Sequence, residues 1–357
     1  MLFRSALSQG IFYFGGGTAV QTACGYEDSV DEMYAFLRSV TTTTDEDSLR
    51  VYCDESVDQF DWLEAQGVPF KREAYKHKAV YIRSGEGLLY TGNEKVWPFR
   101  DAAAPAPRGH QVSGDGDISG GYVAMKALLE TFDSEGVAAV YDTAVIALVV
   151  DEGGRVVGVK TRAAGSDAFV EARKGVVLAA GSFNLNAEIT GEHMPLFSQY
   201  GKPLGEPTND GAGLLLGRTV GVAERGMAGV CATASIYPPE DLIKGIVVNA
   251  EGMRFMPEDA YHGRMATTIQ HQPDAKAFLI LDEEIFGYPK HGSHTFIDAF
   301  ETVDEMAAAL EIPVTALHDT IARYNADAAA GDDTEFHKAG EWLKPLDAPY
   351  AVFEISI

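Results

Sequence analysis

Cysteine is scarce in this chain: Cys24, Cys53 and Cys231 are the three among 357 residues. An odd number, widely spaced, argues against a disulfide framework and a cysteine-ligated zinc centre. The plainer expectation is reduced thiols in or near the core of a cytoplasmic protein. Positive charge is also short. Lys and Arg total 28 against 53 Asp and Glu, a formal net charge of −25. Nucleic-acid backbones and anionic lipid surfaces both select clustered cations, so neither is expected as a partner. No run approaches the ~20 apolar residues of a spanning helix, and the stretch Val176–Ala180 is typical of the short apolar runs present. No membrane insertion is expected. No secretory leader is expected in the first residues given, because Arg4 is not followed by a long apolar stretch.

Several catalytic signatures are missing too. There is no GxSxG elbow, no HExxH, no phosphate-binding GxxxxGK[ST] loop and no CxxC. The GxGxxG fingerprint that opens a dinucleotide-binding fold is likewise missing. The histidines other than His262 are scattered without ligand spacing, so no metal site is expected.

What remains reads as a folded α/β chain. Hydrophobic residues make up 46% and charged residues 23%, a globular balance rather than a disordered one. Asp28-Ser29 reads as a helix cap, with Val30, Met33, Tyr34 and Leu37 on one face. A second helix is expected from Asp45 to Gln66, and another from Tyr122 to Phe132 behind Gly120-Gly121. Thr143–Val150 and Arg155–Thr161 read as a hairpin joined by Asp151–Gly154. Val170–Ala172 and Val176–Ala180 read as short strands, the second buried on both faces because it is continuously apolar. Asp210–Val220 reads as a helix behind a glycine turn. From about Gly245 an α+β unit is expected, with helices at Val303–Leu310 and Val314–Ala330. Trp62, Trp97 and Trp342 are expected to pack in the core or an interface.

Two segments carry candidate chemistry. Gly15-Gly16-Gly17-Thr18 offers backbone that can approach a ligand closely, such as a phosphate or the edge of an isoalloxazine ring. Taken by itself the triplet reads more readily as a flexible turn. Arg254–Arg264 (RFMPEDAYHGR) is the densest polar cluster, with Arg254, Glu258, Asp259, Tyr261, His262 and Arg264. The plainer reading there is a solvated surface loop.

Six strings give these segments a shared context: SALSQGIFYFGGGTAVQTACGYEDSVDEMYAFL, GLLYTGNEK with APAPRGH, GVVLAAGSFNLN, NDGAGLLLGRTVGV, GIVVNAEGMRFMPEDAYHGR and TALHDTIARYNADAAAGDD. In this order they resemble the fumarate-reductase-type flavoprotein family. Within it they are most similar to the flavin-dependent 3-ketosteroid dehydrogenases of the Δ4-(5α) type. The resemblance implies an FAD-dependent oxidoreductase built on a partial Rossmann-like FAD-binding domain, residues 1–240, with an α+β cap domain, residues 241–357. It also implies that the family's first βαβ unit and its C-terminal return segment stand outside this sequence, so that the chain alone would hold FAD poorly and not turn over.

Residue by residue, the resemblance places Ser5, Ser8 and Gly10 along the flavin and pyrophosphate. It sets Gly15, Gly16, Gly17 and Thr18 beside the isoalloxazine ring. Ala144 and Val145 fall on the strand that meets the adenine. Ala179, Ala180, Gly181 and Asn186 fall near the ADP moiety, with Ser182 where the family has Gly. Asn209, Asp210 and Gly211 match the family's GDG turn. Tyr261 matches the cap-loop tyrosine that faces the steroid. In fumarate reductases an arginine of this loop donates the proton; His262 stands near its place and Arg264 two residues further on. The implied reaction removes a proton beside a ketone and passes hydride to the flavin, with an unidentified electron acceptor. The rival readings are a fumarate- or urocanate-type reductase, which needs Arg108, Arg254 and Arg264 to converge, and an inactive flavin-free fragment.

Overall fold

The computed structural model describes residues 3–42, 45–114, 119–205, 208–292 and 294–357. The chain is a mixed helix-and-sheet protein that divides into two compact units: Met1–Phe132 together with Cys231–Ile357, and Asp133–Val230.

The first unit is centred on a four-stranded antiparallel sheet in the order Ile246–Asn249, Ala277–Asp282, Tyr350–Glu354, Thr295–Phe300. All six residues of Ala277–Asp282 are buried, which explains their almost uninterrupted apolar sequence. The helices Val303–Leu310 and Val314–Ala330 form at their expected positions. Leu317, Ile321, Tyr324 and Ala328 recur every three to four residues and are buried in the same core as the sheet. A second, three-stranded sheet pairs Ile11–Tyr13 and Leu88–Leu89 with Gly109–Gln111. It sets the Gly15–Thr18 turn next to Arg108, since Phe14 N donates to Arg108 O at 2.9 Å.

Several expectations are corrected here. The Asp45–Gln66 segment is two helices, Glu46–Asp54 and Ser56–Ala65, interrupted at Glu55, whose ψ of 3° leaves the helical range. The helix at Val30–Val40 is capped by Ser29, while Asp28 turns inward to the glycine turn. Gly120 and Gly121 lie within the helix Gly120–Ser134 rather than before it. Their bare backbone lets Gly10 press against them: a Cβ on Gly10 would stand 2.3 Å from the Gly120 carbonyl carbon, and Gly10 itself has φ +74°. Trp62 is half exposed rather than packed in a core. Trp97 packs against His337 with ring centroids 4.5 Å apart, and Trp342 packs against the main core. Of the thiols, Cys53 is buried, Cys24 partly buried and Cys231 exposed, all of them free.

The second unit is built on an antiparallel meander of Ala144–Val150, Val156–Ala163 and Ser166–Glu171. The expected hairpin closes as read, Asp151 Oδ1 accepting the Gly153 and Arg155 amides at 2.9 Å each. The Val176–Ala180 strand does not form. No described strand pairs with it, and Val177 is 91% exposed. An apolar run becomes a buried strand only where neighbours on both sides complete its hydrogen bonds. Asp210–Val220 shortens to the helix Ala212–Arg218, started by Gly211 at φ +80°.

Candidate active site

Most of the Arg254–Arg264 cluster is structural. Arg254 reaches Glu258 (3.1 and 2.9 Å) and Asp333 (3.1 and 3.0 Å), flanked by the rings of Tyr324 and Phe336. Lys338 adds a second cation, 3.2 Å from Glu258 Oε2, and donates to Gly245 O. Burial alone would raise the Glu258 pKa, but Arg254 and Lys338 outweigh it and hold the carboxyl below its ordinary value. The Asp259 carboxyl is pushed up by burial, accepts from Ala339 N at 3.1 Å, and leaves Oδ1 buried without a partner among the described residues. The loop is thus welded to the first unit from within, contrary to a solvated surface loop.

The end of the loop is different. Tyr261 precedes the helix His262–Gln270, its amide held by Asn93 Oδ1 at 2.9 Å. Burial pushes the phenol up to about 12, with Cys231 and Glu94 adding to the shift. His262 lies against it, ring centroids 4.1 Å apart, and its Nδ1 is 2.7 Å from Thr233 Oγ1. Burial drops the imidazole to about 4, so it is neutral at pH 7. Arg264 is half-buried over the Phe99 ring at 4.5 Å. Its Nη1 is buried with no partner among the described residues, and burial lowers its pKa.

The glycine turn is filled from within its own unit. Gly15 N donates to Ser56 Oγ (2.9 Å) and Gly16 N to Asp28 Oδ2 (3.1 Å). Gly17 N and Thr18 N both donate to Gln21 Oε1, at 3.1 and 3.0 Å. Arg108, its side chain fully buried, secures Asp28 through Nε and Nη2 at 3.0 and 2.7 Å. Thr18 Oγ1 meets His110 Nε2 at 2.7 Å. The turn therefore has no free amide to offer a phosphate. Glu94, fully buried beside Asn93, accepts from Tyr13 Oη and Gly92 N, and burial raises its pKa. Ser5 and Ser8 lie on the surface just before this region, the Ser8 amide donating to Ser5 O at 3.2 Å.

In the second unit, the candidate cofactor residues of two loops come together. Leu185 N donates to Asn209 O, Gly211 N to Ser182 O, and Asn186 Nδ2 to Asp210 O, at 3.1, 3.2 and 2.8 Å. Ala179, Ala180 and Gly181 are exposed beside this pair, and Gly213 packs so tightly that a Cβ would lie 2.9 Å from the Ala180 Cβ. Ala144 and Val145 open the first strand of the meander, exposed and paired with Arg162 and Thr161.

Sequence reading missed Asn93, Glu94, Gln21, Ser56 and the inward role of Asp28. These residues act across 41 to 168 positions or inside an ordinary-looking helix start, and no local spacing marks them.

A model described as the FAD binding domain matches residues 3–355. The chain belongs to this FAD-binding flavoprotein family. Its relatives are FAD-dependent oxidoreductases acting on carbon–carbon bonds, and FAD is the cofactor the domain implies. A solved 3-ketosteroid-Δ4-(5α)-dehydrogenase from Rhodococcus jostii RHA1, in complex with 4-androstene-3,17-dione, is 36% identical with a TM-score of 0.91, covering 99% of this chain and 75% of that one. The 3-oxo-5-alpha-steroid 4-dehydrogenase of Comamonas testosteroni is 26% identical, covering 79% of this chain and 61% of that protein. An NADH:acrylate oxidoreductase of Vibrio harveyi is also 26% identical, over 85% of this chain and 30% of its own length. The chain thus spans less than two thirds of these curated relatives. Among the described residues no helix is long and apolar enough to cross a membrane.

Proposed function

We propose that this chain carries the flavin-facing and substrate-facing core of an FAD-dependent dehydrogenase that desaturates the bond next to a ketone, with a 3-ketosteroid as substrate. The observation that carries the reading is the state of the candidate arginines and of the loop around Tyr261. A dicarboxylate reductase needs free cationic clamps, yet Arg108 is spent on Asp28 and Arg254 on Glu258 and Asp333. What the loop keeps available is a half-buried tyrosine beside a neutral imidazole, with Arg264 as its one cation unpaired among the described residues, which suits a ketone better than a dicarboxylate that needs several clamps. The likeness to the Rhodococcus enzyme, at 36% identity, supports the same substrate class.

The residues present fit the cofactor unevenly. With every amide taken, the Gly15–Thr18 turn suits the uncharged ring rather than the pyrophosphate. The exposed backbone at Gly181, next to the buried Gly211 and like it at positive φ, suits the adenosine side, with Asn186, Asn209 and Asp210 bracing it. When bound, FAD supplies the hydride acceptor. Tyr261, as the tyrosinate left when its own proton passes to solvent, takes the proton from the carbon beside the ketone, and its raised pKa keeps that form scarce at neutral pH. Arg264, through its unpartnered Nη1, stabilises the negative charge that develops on the ketone oxygen. In this reading residues 1–240 form the FAD-binding part and residues 241–357 the cap, the ketone is a small molecule taken up in the cytoplasm, and electrons leave to an acceptor not yet identified.

One observation favours the rival reading of a small-carboxylate reductase: Arg264 is a cation without a carboxylate partner among the described residues. Assaying the chain, together with whatever residues its gene encodes on either side, separates the two. Oxidation of a 3-oxo-5α-steroid supports the proposal. Reduction of fumarate or urocanate with no steroid turnover sinks it.

A further inference from the structure

A glycine-rich turn that meets a cofactor is usually a backbone waiting for a ligand, its amides satisfied only once the ligand arrives. Here four consecutive amides are already satisfied by three side chains: Ser56 for Gly15, Asp28 for Gly16, and Gln21 for both Gly17 and Thr18. The three acceptors are fixed in turn. Gln21 Nε2 donates to Asp28 Oδ2 at 3.0 Å and to Pro107 O at 2.9 Å, and Arg108 clamps Asp28 through two bonds. Gln21, Ser56 and Arg108 are buried. Gly16 and Gly17 sit at φ +83° and +98°, a shape that other residues rarely adopt and that the side-chain acceptors hold in place.

We infer that Gln21, Asp28 and Ser56, with Arg108 behind them, are positioning residues that build the Gly15–Thr18 turn from the chain's own side chains, with no contribution needed from a cofactor, and close it to anions. The role of the turn as a flavin platform rests on the function proposed above; its being prebuilt does not. A platform of this kind offers a ligand its Cα edges and carbonyls and costs no ordering on binding, which is how preorganisation strengthens affinity.

The test is amide hydrogen exchange on the 357-residue chain without added flavin, read at single-residue resolution. The expected result is slow exchange at Gly15, Gly16, Gly17 and Thr18, unchanged when FAD is added. Ser56→Ala should speed Gly15 by tenfold or more while leaving Gly17 and Thr18 protected, and Ser56→Thr, which keeps the acceptor oxygen, should restore Gly15. Fast exchange at all four without flavin, slowed only by FAD, would overturn the inference by making the cofactor the builder of the turn. A uniform loss of protection across the chain in Ser56→Ala would signal unfolding, and the decision then rests on the unsubstituted chain and Ser56→Thr. A second readout separates this from the parent proposal. If riboflavin binds, Ser56→Ala should weaken it several-fold with ADP affinity unchanged, and an equal loss for both overturns the positioning role. If no flavin binds even to the protein expressed with whatever residues its gene encodes on either side, while the four amides stay protected, the cofactor reading fails and the prebuilt turn stands.

Discussion

Asn93 holds Tyr261 by its backbone, its Oδ1 accepting the Tyr261 amide at 2.9 Å across 168 positions of sequence. This bond fixes the last residue before the helix His262–Gln270, and with it the starting direction of the phenol. Asn93 is 8% exposed, so the bond is made away from water. Replacing Asn93 by Ala leaves a largely buried amide unpaired, a cost of about 1–3 kcal/mol. The expected outcome for Asn93→Ala is a steroid kcat at least tenfold lower with the melting temperature reduced by only a few degrees. An unchanged kcat would show that the phenol is aimed by other contacts.

With Tyr261 as the proposed base, the pH dependence follows from its phenol. Its pKa is pushed up to about 12, so at pH 7 it is protonated and only a small fraction can act as base. Turnover should therefore rise about tenfold per pH unit on the alkaline side of neutrality. Tyr261→Phe should lower kcat by about 10²–10⁴-fold and flatten that slope. A Phe variant with the same alkaline slope would place the base elsewhere.

The buried cluster of Arg254, Glu258, Asp333 and Lys338 makes an acid-sensitivity prediction. Glu258 and Asp333 both have folded pKa values below their ordinary 4.5 and 3.8. A depressed carboxyl pKa contributes stability that is fully present above the unfolded value and is lost as the pH falls through the folded one. The urea midpoint should hold from pH 7 to about pH 5 and then drop steeply. Arg254→Leu should cost about 3–5 kcal/mol at pH 7, because it leaves a buried carboxylate short of a partner. In that variant the acid drop should shrink. An equally steep drop would assign the acid sensitivity to other groups.

His110 is a second probe of the same kind. The Arg108 carbonyl can only accept, so Nδ1 carries the proton toward it at 3.0 Å and Nε2 accepts from Thr18 Oγ1. Burial lowers this imidazole to about 4, so its stabilising contribution is present above about pH 6.5 and fades between there and pH 4. Thr18→Val should cost about 1–3 kcal/mol by stranding Nε2. A neutral effect in denaturant melts would mean that water replaces the hydroxyl.

Much of this was legible in the sequence where the physics is local. The hairpin Ala144–Ala163 pairs with itself through a four-residue Asp–Gly turn, and Val303–Leu310 and Val314–Ala330 declare their buried faces by spacing. The apolar run Val176–Ala180 failed as a strand because a buried strand is defined by partners that its own letters do not contain. The polar density of Arg254–Arg264 was visible, but not its division. Arg254 and Lys338 neutralise Glu258 and Asp333, while Tyr261 and Arg264 do not take part. Only the pairing geometry separates the structural charges from those left available for chemistry. The same holds for Gln21 and Asp28, ordinary residues around two helix starts that turn out to occupy the amides of the glycine turn.

The most direct test of the central claim is anaerobic mixing of the flavin-loaded protein, expressed with whatever residues its gene encodes on either side of this chain, with a 3-oxo-5α-steroid while following the flavin band near ~450 nm, where oxidised flavin absorbs and reduced flavin does not. The account predicts bleaching by the steroid, abolished or slowed at least a hundredfold in Tyr261→Phe, and no bleaching by succinate. A protein that holds flavin yet stays yellow with the steroid, or one bleached by succinate instead, would contradict it.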